Sequence, residues 1–159
     1  MKFRIGFGFD VHQLKDGLDF LLGGIKVSHT KGGLGHSDAD VLIHSICDAL
    51  LGAANLGDIG MHFPDTDPKY KGVDSKILLK EVMILIREKG YELGNVDSTI
   101  CLQQPKIGPY IPQMQDEISD CMEVDKDLVS IKATTTEKLS FVGREEGISA
   151  YATVLIQKI

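Results

Sequence analysis

Phe3-Arg4-Ile5-Gly6-Phe7-Gly8-Phe9-Asp10-Val11-His12 alternates bulky apolar residues with small or polar ones at a period of two, the repeat of a β-strand. Phe3, Ile5, Phe7 and Phe9 fall on one face, and Arg4, Gly6 and Gly8 on the other. Asp10 and His12 stand two residues apart at the expected end of this strand. Both side chains therefore leave from the same side and form a bidentate corner.

Working outward, Phe20–Leu22 and Ile25–Val27 flank Gly23-Gly24 and predict a short hairpin. Ser37 or Asp38 can cap a helix whose apolar residues Val41, Leu42, Ile46, Ala49, Leu50 and Ala53 recur at helical spacing, with an end expected within residues 52–56. Residues 57–71 are dense in Gly, Asp and Pro and predict a loop long enough to carry function. A second helix is expected from Asp74 or Ser75 to Lys89, with Gly90 just past its end. Residues 96–102 predict a strand, Pro109 a helix start, and residues 129–135 and 148–156 two further strands. The order strand, hairpin, two helices, strand, helix, two strands predicts a single α/β (α+β) domain over residues 1–159, with helices on one face of a mixed sheet.

The chain has 159 residues, 43% of them hydrophobic and 25% charged, and a formal net charge of -6. Its pI is near 5.3. A nucleic-acid or anionic-membrane surface needs a clustered positive field, so neither partner is expected, and an anionic substrate would need metal ions or local donors. No apolar run reaches the length of a membrane span, and the first residues run into a Gly-rich turn, which predicts a cytoplasmic protein. Cys47, Cys101 and Cys121 lie far apart in apolar patterns without C-x-x-C spacing and are expected as buried free thiols.

A third ligand for the Asp10–His12 corner is available from His36 or His44 in His36-Ser-Asp-Ala-Asp40-Val-Leu-Ile-His44-Ser-Ile-Cys-Asp48. One Asp with two His suits zinc with one position open to substrate. His44 shares a helix face with Asp40 and Asp48, a polar stripe in an apolar segment. Such a stripe is either a solvated face or a ligand whose ring a neighbouring carboxylate orients.

Three further segments carry candidate chemistry. Ala133-Thr-Thr-Thr136-Glu137 brings hydroxyls and a carboxylate to a strand end, where they can meet phosphate oxygens and a hard cation, or form a capping box. Gly57-Asp-Ile-Gly60 and Phe63-Pro-Asp65-Thr-Asp67-Pro68 concentrate carboxylates suited to sugar hydroxyls or to Asx turns. Gln104-Pro105-Lys106-Ile107-Gly108-Pro109 is a rigid loop whose backbone can read a pyrimidine edge.

The segments FGFDVH, HSDADVLIH, GDIGMHFPDTDP, GNVD, QQPKI and KATTTEKLSFVGREEGI, in this order, resemble the 2-C-methyl-D-erythritol 2,4-cyclodiphosphate synthase family over nearly the whole chain. The resemblance implies zinc at Asp10, His12 and His44, and magnesium or manganese near Glu137 bridging a substrate diphosphate. It implies that Asp10, Val11 and His12, with His36 and Ser37, contact substrate. The methylerythritol loops would be Asp58, Ile59 and Gly60 with Phe63, Pro64, Asp65, Thr66 and Asp67. The cytidine pocket would be Leu102, Gln103, Gln104, Pro105, Lys106, Ile107 and Gly108, and the diphosphate region Thr134, Thr135, Thr136, Glu137, Phe141 and Arg144.

His36 and Thr135 are implied to stabilise the transition state. The implied reaction is cyclisation of 4-diphosphocytidyl-2-C-methyl-D-erythritol 2-phosphate with loss of CMP, on the non-mevalonate route to isoprenoid precursors. The implied assembly is a homotrimer with active sites between subunits and sheets around the central axis. Against the family pattern, Ala39 replaces a frequent Gly, a change expected to suit a helix and to cost little. Phe7 replaces a frequently polar residue, Gly108 is smaller than usual, and Tyr151 is placed to face the trimer axis. The rival readings are a metal phosphohydrolase and a non-catalytic nucleotide-binding trimer.

Overall fold

The computed structural model describes residues 2–159. Its elements are β1 (Phe3–Asp16), β2 (Phe20–Leu22), β3 (Ile25–Val27), β4 (Lys31–Leu34), α1 (Val41–Ala54), α2 (Ile59–His62), α3 (Ser75–Glu88), β5 (Tyr91–Cys101), α4 (Ile111–Met122), β6 (Val129–Thr134), α5 (Ser140–Gly143) and β7 (Gly147–Lys158). Five strands form one sheet in the order β4-β1-β7-β5-β6. β1 pairs antiparallel with β4 and β7, β7 antiparallel with β5, and β5 parallel with β6, so the sheet is mixed as expected. The β2–β3 hairpin stands apart from it.

The two faces of β1 have opposite fates. Gly6, Gly8, Asp10, His12 and Leu14 lie on the side that α1 covers, whereas Phe3, Ile5, Phe7, Phe9 and Val11 are exposed on the other. A Cβ on Gly6 would stand 1.8 Å from the Ala49 carbonyl oxygen, and one on Gly8 1.9 Å from that of Ser45. Only glycine lets the backbone of α1 rest directly on the strand. This contact brings the first turn of α1, with His44, over Asp10 and His12. The apolar side of β1 thus belongs to an open sheet face, where Tyr151 packs at 5.1 Å between ring centroids against Phe9.

β1 also runs four residues beyond His12, because Gln13 to Asp16 pair with β4. Asp10 and His12 consequently sit within the strand and not at its end. β5 begins at Tyr91, earlier than the expected residue 96, and a register shift between Leu93 and Asn95 absorbs the interruption at Gly94. α1 is capped by neither Ser37 nor Asp38. Asp40 caps it by accepting from the Ile43 amide, while the same buried carboxylate accepts from Gly23 and Gly24 of the hairpin at 2.9 and 2.7 Å. Burial pushes the Asp40 pKa up, against the pull of those amides.

Ala39 is not helical. Its φ of 58° is left-handed, a conformation that strains an L residue by about 1–2 kcal/mol, so the family's frequent Gly has a conformational reason here. α3 is capped by Asp74 and is followed by Gly90 at φ 83°, as expected. The thiols are free, but only Cys47 and Cys121 are buried; Cys101, at the end of β5, is half-buried. Among the described residues, no helix is long and apolar enough to cross a membrane.

Candidate metal centre and nucleotide pocket

Asp10 Oδ2 lies 3.0 Å from His12 Nε2 and 3.0 Å from His44 Nδ1, and the two ring nitrogens are 3.3 Å apart. Ligand atoms on a tetrahedral zinc, each at ~2.0–2.1 Å, are separated by about 3.3 Å, so this triangle has the edge lengths of a metal face. His12 Nδ1 stands 3.2 Å from the Leu34 carbonyl, an acceptor that can only be met by N–H, which leaves Nε2 with its lone pair toward the triangle. An oxygen and two nitrogens are thereby aimed at one point, a donor set that fits a divalent cation.

Electrostatics agree with a site built for positive charge. Burial opposes the charged form of Asp10, but hydrogen bonds and charge from His12 and His44 outweigh it and lower its pKa to about 2. Burial also opposes an imidazolium at His44, yet the Asp10 carboxylate outweighs it and raises the pKa.

His44 is the nearest of the candidate histidines, and His36 is not in the cluster. His36 instead lines the same cavity of about 380 Å³, with Asp10, His12, Ser37, Ile59, Gly60, Phe63 and Asp65. Tyr70, Val73 and Leu78 complete its wall and were not among the sequence candidates; all lie in or beside the loop-to-α3 segment. The expected polar stripe on α1 does not orient His44. Asp40 is consumed in capping, and Asp48 accepts from the Ile59 amide at 2.8 Å, which anchors α2 over the cavity. The ring is held by hydroxyls: Ser75 Oγ at 2.8 Å and Ser37 Oγ at 3.1 Å from Nε2.

Several expected contacts are redistributed. The Val11 side chain points to the open face, away from Asp10 and His12, because successive residues of a strand alternate. Asp58 and Asp67 cap short turns through Met61 and Lys69, so the Asx reading holds for them. Pro64 and Thr66 shape the same loop without lining the cavity.

A second cavity, of about 490 Å³, is lined by Leu102, Pro105, Lys106, Ile107, Gly108, Thr134 and Thr135, among others. A Cβ on Gly108 would meet nothing within 4 Å, so its missing side chain leaves this cavity wider. Gln104 is not on its wall, and Gln103 accepts from the Lys138 amide at 3.3 Å, tying the loop to the turn after β6. In that turn Glu137 has φ 53° and its amide donates to Thr135 Oγ1, while Thr136 Oγ1 donates to the Leu139 carbonyl. Glu137 is left-handed and so not the third residue of a helix, and α5 begins at Ser140 after Leu139, an N-cap without a side-chain bond, so the capping-box reading of Glu137 fails. Phe141 lies against Gly147 beside the His12 carbonyl, and Arg144 is paired with Glu146 at 3.0 and 3.1 Å; neither reaches either cavity.

The profile of the YgbB family matches residues 3–157. The chain belongs to that family, the 2-C-methyl-D-erythritol 2,4-cyclodiphosphate synthases. The synthase of this name from Parabacteroides distasonis is 64% identical over 159 residues, covering 100% of this chain and 99% of its own. A solved 2C-methyl-D-erythritol-2,4-cyclodiphosphate synthase in a CDP-bound form superposes with a TM-score of 0.90 at 37% identity, over 97% of this chain and 100% of that one. The bifunctional IspDF of Campylobacter jejuni gives a TM-score of 0.96 at 43% identity; 99% of this chain matches 43% of that longer one.

Proposed function

We infer that the protein converts 4-diphosphocytidyl-2-C-methyl-D-erythritol 2-phosphate to 2-C-methyl-D-erythritol 2,4-cyclodiphosphate and CMP, in the cytoplasm, as a cyclising phosphorus–oxygen lyase of isoprenoid precursor synthesis. The convergence of Asp10, His12 and His44 within a cavity, in a chain that matches the synthases end to end, carries this reading.

The 2-phosphate oxygen attacks the β-phosphorus, a new phosphorus–oxygen bond closes the ring, and the bond from the β-phosphorus to the bridging oxygen breaks with CMP as leaving group. The nucleophile is already an anion, so no strong general base is needed; positioning and charge neutralisation are. Asp10, His12 and His44 would hold zinc, and Glu137 would lie near a magnesium or manganese ion; bound there, the ions would supply Lewis-acid polarisation and charge neutralisation for the diphosphate. His36 and Thr135 donate to phosphoryl oxygens, and losing one such donor costs about 3 kcal/mol of barrier. Ser37, Ile59, Gly60, Phe63 and Asp65 hold the methylerythritol end, and the second cavity takes the cytidine.

Val11, Ser149, Cys101 and Thr134 form one row across β1, β7, β5 and β6. Three strand spacings separate β1, which carries the metal ligands, from the end of β6 by about 14 Å across the sheet, longer than a diphosphate. A homotrimer with active sites between subunits resolves this by pairing the metal cavity of one copy with the nucleotide cavity of another. The assay is incubation with the cytidyl substrate and magnesium in oxygen-18 water. Cyclic diphosphate and CMP without solvent oxygen are expected; a linear product carrying the label would mean a phosphohydrolase.

A further inference from the structure

Ser75, the first residue of α3, is fully buried, and its hydroxyl lies between His44 Nε2, at 2.8 Å, and Asp38 Oδ1. A hydroxyl has one hydrogen to give, and an ionised carboxylate only accepts. Asp38 is fixed in place by other donors: its Oδ2 accepts from the Ser75 amide at 2.8 Å and its Oδ1 from the Asp40 amide at 3.2 Å. The Ser75 hydrogen therefore goes to Asp38, and the oxygen turns a lone pair to His44. Nε2 must then carry the hydrogen, which Ser37 Oγ, 3.1 Å away, can share. Nδ1 is left with its lone pair toward Asp10 and His12.

We propose that Ser75 and Asp38 are positioning residues of the metal centre: Asp38 fixes the Ser75 hydroxyl, and the hydroxyl holds His44 in the tautomer and orientation that present Nδ1 to the cation. The proposal rests on the metal-centre reading above. A ligand histidine commonly gives its second N–H to a carboxylate that orients the ring and raises its basicity. Here the serine stands between the two, because Asp38 is already engaged with the backbone at the start of α3. The same bonds join the segment before α1 to the first turn of α3, and the Asp38 amide also donates to the Val73 carbonyl at 3.2 Å. The ligand geometry is thereby tied to the packing of the cavity wall.

The test is zinc affinity of the metal-stripped protein, measured against a chromophoric chelator, together with nitrogen-15 NMR of the histidine rings in the zinc-loaded protein. Wild type should show a slowly exchanging Nε2–H on His44. Ser75→Ala should weaken zinc binding by about ten- to a hundred-fold and speed exchange of that proton, with native circular dichroism retained. Asp38→Asn, which keeps the shape but confronts the serine with an amide donor, should do the same and carries the test if Ser75→Ala does not fold. Zinc bound by both variants within about twofold of wild type, with the Nε2–H signal unchanged, would overturn the relay and leave the metal centre standing. A wild-type protein that binds no zinc would overturn the metal-centre reading and the relay with it.

Discussion

His36 and His44 are eight residues apart, line one cavity, and are assigned different work. His44→Ala should lose zinc and activity together. His36→Ala should keep its zinc and lose turnover by about a hundred-fold, because it removes a phosphoryl donor and no ligand. Elemental analysis of both variants decides this, and the reverse pattern of zinc contents would mean the assignments are exchanged. Glu137→Gln should blunt the response to magnesium while zinc content stays at the wild-type level; an unchanged magnesium titration would return Glu137 to a purely structural role in its turn. The metal-free protein should also report the Asp10–His44 pair in its pH dependence. Asp10 is depressed from 3.8 to about 2, so its contribution to stability is present above pH 3.8 and lost as pH falls through 2. His44 is raised above 6.5, so its contribution is present below pH 6.5 and lost as pH rises through the raised value. Chemical denaturation across this range should find Asp10→Asn flattening both limbs. Asp10 and His12 were legible in the sequence because a spacing of two fixes their common side in any strand. Ser75 was not, since its partner lies 31 residues away and nothing local marks a helix-opening serine as buried.

At the scale of elements, the seat of α1 on β1 depends on two hydrogens. Gly8→Ala would place a methyl 1.9 Å from the Ser45 carbonyl oxygen, backbone that cannot move aside as a side chain can. The strand and helix must separate, at a cost of about 3 kcal/mol or more, and zinc affinity should fall with stability because His44 moves away from Asp10. Thermal unfolding and chelator competition on the same variant check this, and a variant as stable as wild type would contradict the close contact. The alternation of β1 was plain in the sequence, but its apolar side does not face the helices. Two glycines on the opposite side are the signal that helix backbone approaches there. The hairpin, both ends of α3 and the C-terminal end of α1 were legible because they are set by local caps and turns, whereas the start of α1 was not, because its cap Asp40 is fixed by contacts with the distant Gly23 and Gly24. β4 was not, for Lys31-Gly-Gly-Leu34 has no strand signature and is held by pairing with β1. The first part of β5 was hidden by Gly94, which marks a register shift inside a strand and reads in the sequence as a break.

At the scale of the whole molecule, the exposed Phe3, Ile5, Phe7, Phe9, Val11 and Tyr151 give one sheet face the character of an interface, since scattered apolar residues are ordinary on a surface and a contiguous row is not. Three copies closing these faces around an axis would bury that row, and sedimentation equilibrium should give three times the chain mass; a fully active monomer would contradict it. The resemblance of the sequence to its family implied this assembly, whereas composition and pattern could not, because symmetry lives between chains. In the proposed trimer one copy supplies the metal cavity and another the nucleotide cavity. Mixed trimers test it most directly: His44→Ala and Thr135→Ala, each nearly inactive alone, are co-expressed and purified together, and cyclic diphosphate formation is measured. A shared site leaves one interface of three intact in every mixed trimer, so about a third of wild-type activity should return in purified mixed trimers, and about a quarter in a random equal mixture that includes the parents. Mixed trimers of verified composition that remain as inactive as either parent would show that each chain carries its own complete site, and would contradict the account.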